Sequence, residues 1–295
     1  MKSVANMQVH DIIPSADYNE HAEENMMKSL GIIGAGSMGG SIIRGVLDAG
    51  YIRQNQLTVF DTNMQKLEEL SRDLPSVTYC DHALELARQC DMIILAVKPY
   101  VLGSVLETIS SALSGKALIS IAAGWTVEML DKALEGTGAT FLRVMPNTPA
   151  MVGEGMTALC EENTLSEEDF AFAKGIFEAM GRTVVLPERL FDGVTAISGS
   201  SPAYVYMMIE AMMQGGVQQG IPRDVAIQMA AQSVLGSALM VLSSGEHPAA
   251  LRDAVCSPGG TTIDAVAVLE KNGFRSAILE AMNVCAEKSR KMSKG

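Results

Sequence analysis

Residues 29–50, SLGIIGAGSMGGSIIRGVLDAG, run from a short apolar segment through a cluster of glycines into a helical repeat of apolar positions. Gly34, Gly36 and Gly39 carry the spacing G-x-G-x-x-G. In a strand–turn–helix unit that holds a dinucleotide, the three glycines have separate tasks: a tight turn, close approach of backbone to pyrophosphate, and close helix–strand packing. The spacing alone is weak, because glycine-rich turns are common. Its surroundings strengthen it. An apolar strand precedes it, Ile42, Ile43, Val46 and Leu47 form a helical stripe, and Gly50 suits a helix C-terminus. Ala35, Ser37 and Met38 complete the turn and are placed along the same cofactor. A second apolar segment, LTVF, ends on Asp61, 22 positions after Gly39. A carboxylate there can accept hydrogen bonds from the adenosine ribose hydroxyls.

The alternation continues outward from this unit. MIILAVKP (92–99), ended by Lys98-Pro99, ALISIAAGW (117–125), ended by small residues, and TFLRVMPNTPA (140–150), breaking at Pro146, read as buried parallel strands with helical segments between them. This is a doubly wound α/β sheet of the Rossmann type, and ligands of such sheets lie at the carboxyl ends of the strands. Ala96, Val97, Lys98 and Pro99, Ala123 within the run 122–124, and Asn147 beside Thr148 all fall there. A lysine after a strand is often a plain surface residue; the functional reading of Lys98 is a contact to cofactor phosphate or nicotinamide ribose. Residues 155–187 add a strand (GMTALC), a helix near 166–180 and a strand (RTVVLP), extending the same sheet. The domain scheme is then an extension over 1–26, a dinucleotide-binding domain over 27–187 and a helical domain over 188–295. The first 26 residues are polar, mixed in charge and without the apolar core of a signal peptide, and read as a mobile extension.

Composition narrows the function. Of 295 residues, 22 are basic and 34 acidic, a net charge of −12, which argues against binding a nucleic-acid backbone. Five cysteines without a C-x-x-C spacing suit free thiols in a reducing cytoplasm, and four scattered histidines make no metal constellation. No apolar run is read as approaching the ~18 residues that cross a membrane. A cytoplasmic, metal-free protein acting on a small molecule is the expectation.

From Leu190 onward the period is helical. Ser201 with Pro202, and later Pro222, read as helix starts. The two helices that follow are apolar on most faces, and a domain of ~100 residues encloses few positions fully, so a second subunit is the natural cover. Met207, Met208, Met212 and Met213 read as core filler. The basic terminus EKSRKMSKG reads as a solvated helix end.

AVCSPGGTTIDAV (254–266) reads locally as a turn feeding a helix, with Thr261 as N-cap and Asp264 as its capping acid. The turn is also rich in groups suited to an anion: hydroxyls of Ser257, Thr261 and Thr262, and a Gly259–Gly260 backbone that lets amides approach a ligand.

Taken in order, GIIGAGSMG, AVKP, SIAAG, RVMPNTPA, SGSSPAYV and GEHPAALRDAVCSPGGTTIDAVAVLE resemble the pyrroline-5-carboxylate reductase family over about residues 29–291. The glycine fingerprint is shared by many dehydrogenases; the last string is far more specific. The resemblance implies a Rossmann domain, a helical dimerisation domain with active sites at the dimer interface, and dimers that often assemble into decamers. It implies NADH or NADPH as reductant and a cyclic imine carboxylate as substrate. The anion is then that carboxylate, held by the Ser257 hydroxyl and backbone N–H groups of Gly260, Thr261 and Thr262 in the turn shaped by Gly259. Thr262 is placed near the imine nitrogen as a hydrogen-bonding or proton-relay group; the plain alternative is a helix-start residue. Asp61 in place of small polar or basic residues, with no arginine following it, favours NADH over NADPH. A 3-hydroxyacid dehydrogenase shares the first motif but needs a lysine on the helix after the boundary, and SGSSPAYVYMMIEAMM has none. A non-catalytic dinucleotide-binding regulator stays open.

Overall fold

The computed structural model describes residues 28–293. The expected extension over 1–26 lies outside them. By its contacts the described chain divides into a sheet-bearing unit, residues 28–200 with 284–293, and a helical unit, Ser201–Asn283.

The sheet unit contains β1 (Leu30–Ile33), α1 (Ser37–Asp48), β2 (Leu57–Phe60), α2 (Met64–Asp73), β3 (Thr78–Tyr79), α3 (Ala83–Gln89), β4 (Met92–Leu95), α4 (Pro99–Ile109), β5 (Ala117–Ser120), α5 (Val127–Ala133), β6 (Thr140–Met145), β7 (Gly155–Cys160), α6 (Glu167–Glu178) and β8 (Gly181–Leu186). The strand order is β3-β2-β1-β4-β5-β6-β7-β8. Pairing is parallel from β3 to β6, β7 joins β6 antiparallel, and β8 runs parallel to β7. The order reverses direction between β1 and β4, the point where a doubly wound sheet opens a crevice.

The central strands are apolar throughout because both faces are covered. Leu30, Ile32, Met92, Ile94 and Ile119 face one core cluster, while Ile33, Ile93, Leu95 and Leu118 face the other. The side-chain alternation of a strand thus divides one continuous run between two helical layers. Each fully buried Ile or Leu contributes about 1.5–3 kcal/mol.

Two strands are shorter than the sequence suggests. β4 and β5 stop at Leu95 and Ser120, and residues 96–98 and 121–125 lie outside the sheet; β6 ends at Met145, at the break expected at Pro146, and a short 3-10 helix follows over Thr148–Val152. Lys98 takes the N-cap of α4 with Pro99 in its first turn, so the chain has changed direction before the proline. The two-residue β3 gives too short a pattern to read in advance.

After β8 come α7 (Phe191–Val194) and a π-helical turn over Thr195–Gly199, both in the sheet unit. Arg143, 6% exposed on β6, donates from Nη1 to Glu188 Oε1 at 2.6 Å and lies over the Phe191 ring. Glu188 Oε1 also accepts from the Val127 amide at 2.6 Å, so one carboxylate braces β6 and the start of α5.

The helical unit holds α8 (Ser201–Gln218), α9 (Arg223–Ser244), α10 (Pro248–Val255), α11 (Thr261–Lys271) and the first part of α12 (Phe274–Met292). Ser201 is already inside α8, because the preceding π turn leads into it, and Pro222 is the N-cap of α9 rather than its first helical residue. Of the four methionines read as core filler, only Met213 is buried; Met207 is 70% and Met212 41% exposed in the single chain. The reading that no apolar run nears membrane-spanning length also needs correction. The 22 residues of α9 carry charge only at the start, at Arg223 and Asp224, have a mean hydropathy of 1.7 over their most apolar 18 and are 11% buried there.

Candidate functional site: a dinucleotide cleft and an anion turn

A cleft of about 560 Å³ opens at the carboxyl ends of the parallel strands. It is lined by Gly34, Gly36, Ser37, Met38, Asp61, Ala96, Val97, Lys98, Pro99, Ala123 and Asn147, all expected from the sequence. Of the expected cofactor residues only Ala35 and Gly39 do not line it. Ala35 is buried. Gly39 packs so closely beneath the Gly34 carbonyl that a Cβ could not fit.

The three motif glycines are glycine for different reasons. Gly34 has φ +104°, which L side chains rarely adopt, and Gly39 is a close-packing contact. Gly36 has neither excuse. Its φ is −69°, and among the described residues nothing beyond its own neighbours lies within 4 Å of where a Cβ would stand. It is the N-cap of α1 and makes no side-chain capping bond. The space above it is therefore open at a helix N-terminus, whose first amides have no intrahelical acceptor. Open space at a helix N-terminus suits a phosphate group, and the residues present fit a nicotinamide dinucleotide.

Two side chains expected to touch the ligand also hold the cleft together. Asp61 Oδ2 accepts from the Ala35 amide at 2.7 Å, and Oδ1 from the Asn63 amide at 2.8 Å. The carboxylate ties the glycine turn to the loop after β2 while lining the cleft. Asn147, 7% exposed, donates from Nδ2 to the Ser198 carbonyl at 3.1 Å and accepts at Oδ1 from the Met156 amide at 2.9 Å. It fastens the end of β6 to the π turn and to β7.

Thr62, Lys66, Ile121, Met145 and Gly199 line the cleft as well. Most lie next to expected positions on the same loops. Gly199 comes from the π turn, which no sequence period announces.

The second candidate constellation lies in the helical unit. Gly259 has φ +68°, and the Gly260 amide donates to the Ser257 carbonyl at 3.0 Å, closing the turn before α11. Two expectations change. Gly260, not Thr261, is the N-cap, so Thr261 and Thr262 are the first two helical residues and Asp264 falls outside a capping-box position. The Gly260 amide is spent on the turn, so of the groups expected to hold an anion the Ser257 hydroxyl and the amides of Thr261 and Thr262 are left. Glycine is tolerated as N-cap, and it makes no side-chain cap here.

Comparison with known proteins bears on both parts. Residues 188–292 match the family model described as pyrroline-5-carboxylate reductase dimerisation, and residues 29–124 match that of NADP oxidoreductase, coenzyme F420-dependent. The pyrroline-5-carboxylate reductase of Escherichia coli K12 is 46% identical over 91% of this chain and the whole of that protein. The chain belongs to the pyrroline-5-carboxylate reductase family. A reductase of this family from Arabidopsis thaliana is 40% identical over 90% of this chain and 95% of its own. The crystal structure of Plasmodium falciparum pyrroline carboxylate reductase with NADP bound superposes with a TM-score of 0.82 at 35% identity, covering 90% of this chain and 98% of that one. Pyrroline-5-carboxylate reductase architecture, a Rossmann-type sheet followed by helices, is what the strand order and the helical unit show.

Proposed function

We infer that this chain reduces 1-pyrroline-5-carboxylate to L-proline, with NADH or NADPH giving up a hydride. The observation that carries the reading is the pairing of a glycine-lined cleft, open above Gly36, with an uncapped helix start at Thr261 in a chain of this family. When bound, the nicotinamide supplies the hydride to the imine carbon, and the ring nitrogen ends with one added proton. The protein's part is positioning. Gly34, Gly36 and Ser37 receive the pyrophosphate, Asp61 the adenosine ribose, and Lys98 with Ala123 the nicotinamide half. Ser257, with the amides of Thr261 and Thr262, holds the substrate carboxylate, and the Thr262 hydroxyl hydrogen-bonds or relays a proton at the imine nitrogen. A cyclic imine is basic enough to be protonated near neutrality, so no strong protein acid is required.

The preference proposed is for NADH. The Asp61 carboxylate suits two free ribose hydroxyls; beside a 2′-phosphate it meets like charge at a cost of several kcal/mol at an effective dielectric of ~20. Thr62 and Lys66 also line this end and offset part of that. The working form proposed is at least a homodimer, supported by the match to a dimerisation model and by the apolar surface of α8 and α9. A further step to decamers rests on the family resemblance. Cytoplasmic location is supported by five free cysteines; burial pushes the Cys90 thiol up to about 11 and the Cys160 thiol up to about 12, so both stay protonated.

Steady-state oxidation of NADH and of NADPH by the purified protein with pyrroline-5-carboxylate tests the reading. Turnover with proline as product is expected; a folded protein inert with both would overturn it.

A further inference from the structure

We propose that the end of α12, residues 284–293, is a strap that sets the nicotinamide end of the cleft, with Ser289 and Asp192 as its positioning pair. The inference rests on the dinucleotide reading of the cleft. These residues group by contact with the sheet unit, although the helix they end begins in the other.

The strap is fixed at three successive turns. Cys285 Sγ donates to Ser200 Oγ at 3.2 Å. Ser200 follows the cleft-lining Gly199, and its amide closes the π turn on the Thr195 carbonyl at 2.8 Å. One turn on, Ser289 is 5% exposed and donates from Oγ to Asp192 Oδ1 at 2.6 Å. A hydroxyl–carboxylate bond this short is of the strong, charge-assisted kind. Arg290 Nε stands 3.8 Å from Asp192 Oδ2 with its side chain 56% exposed, so it adds little.

The third anchor touches the cleft loop itself. Met292 packs on Gly124, where φ is +83° and an added Cβ would stand 3.0 Å from Met292 Cβ. Gly124 continues directly from Ala122 and Ala123, which line the cleft. The next residue, Trp125, donates from Nε1 to the Pro99 carbonyl at 2.9 Å and so ties this loop to the one after β4. Pressure from the strap therefore reaches Ala123, Pro99 and Gly199, three walls of one end of the cleft. Ser289 and Asp192 touch none of the cofactor; they act through the loops.

Trp125 is the chain's single tryptophan, so its emission reports nucleotide binding without substrate. NADH is titrated into the full-length wild type and into Asp192→Ala, Ser289→Ala, Asp192→Asn and the Asp192→Ala/Ser289→Ala double variant, with KM for NADH and kcat measured alongside. Loss of the bond should weaken Kd and raise KM about fivefold, the factor for ~1 kcal/mol, with kcat changed less. Asp192→Asn keeps an acceptor oxygen and should stay within about twofold of wild type. The double variant should be no worse than either single one, because both remove one bond. If Asp192→Ala fails to fold, Ser289→Ala is the smaller change and carries the test. Wild-type Kd in the alanine variants with only a lower melting temperature would overturn the proposal, and so would Asp192→Asn as weak as Asp192→Ala. Wild-type emission indifferent to NADH would overturn the dinucleotide reading and this one with it, a result distinct from a wild type that binds and variants that bind equally.

Discussion

At Asp61 one carboxylate answers two demands, and they can be separated. Both oxygens hold backbone amides, of Ala35 and Asn63, while the same group faces the cleft. Asp61→Ser should move the ratio of kcat/KM toward NADPH by about tenfold, which is ~1.4 kcal/mol of relieved repulsion. It should also cost about 1–2 kcal/mol of stability through the amides left without an acceptor. Asp61→Asn keeps one acceptor without the charge, so it should show most of the cofactor shift with less of the stability loss. A cofactor ratio unmoved in both variants would show that the residue braces the turn and reads nothing. Gly36 poses the opposite case, with ligand space and no packing role. Gly36→Ala should lower NADH affinity by an order of magnitude or more and leave the melting temperature within about 2 °C, since alanine meets no protein atom there. Nucleotide binding unaffected by the added methyl would place the pyrophosphate elsewhere. For Thr262, alanine should depress kcat by about tenfold or more, in the range of a lost proton-handling or hydrogen-bonding group, with little change in stability. Equal turnover and equal melting temperature would leave it a plain helix-start residue. These residues were legible because glycine spacing and an acid at a strand end follow from backbone geometry. The bonds from Asp61 to the amides were not, since they depend on how two loops meet.

Among the elements, the run of apolar residues located the buried strands well but not their ends. Apolar or small residues continue past Leu95 and Ser120 while the backbone has already left the sheet, and these tails form the cleft. Sequence period also missed the π turn at Thr195–Gly199, because one inserted helical residue leaves a weak mark on the apolar pattern. Asn147 is the residue that makes such a turn matter. Its place at a strand end predicts a cofactor contact, and it lines the cleft, yet both ends of its amide are held by backbone at Ser198 and Met156. Asn147→Ala leaves the half-buried Met156 amide and Ser198 carbonyl without their partner and should cost about 1–3 kcal/mol of stability. Asn147→Asp keeps the acceptor for Met156 but loses the donor to Ser198 and should fall between the two. Chemical denaturation of the variants measures this. A change in KM with no change in stability would instead restore a direct contact as the main role.

For the molecule as a whole, the single chain leaves much apolar surface in its helical unit. Tyr206, Met207, Met229, Leu242 and Leu279 are each more than half exposed, and α9 is 11% buried over its most apolar stretch. Exposed apolar area of this kind on a helix marks an interface, and a copy of the same chain is the occupant that the dimerisation match supports. A bilayer could also receive α9 by length and hydropathy, and the two occupants differ in what they predict. A self-interface buries α8 and α9 together, so a charge on either should weaken the same assembly. The wild type should scatter light as at least a dimer at micromolar concentration without detergent. Met207→Glu, on α8, and Met229→Glu, on α9, should each shift it toward monomer by tenfold or more in dissociation constant, the cost of ~1.4 kcal/mol or above for a buried unpaired charge. Activity of both variants should then fall on dilution and recover as protein concentration rises. A wild type that stays monomeric and fully active in dilute aqueous buffer would refute the dimer, and sedimentation with vesicles in place of self-association would give α9 to the membrane.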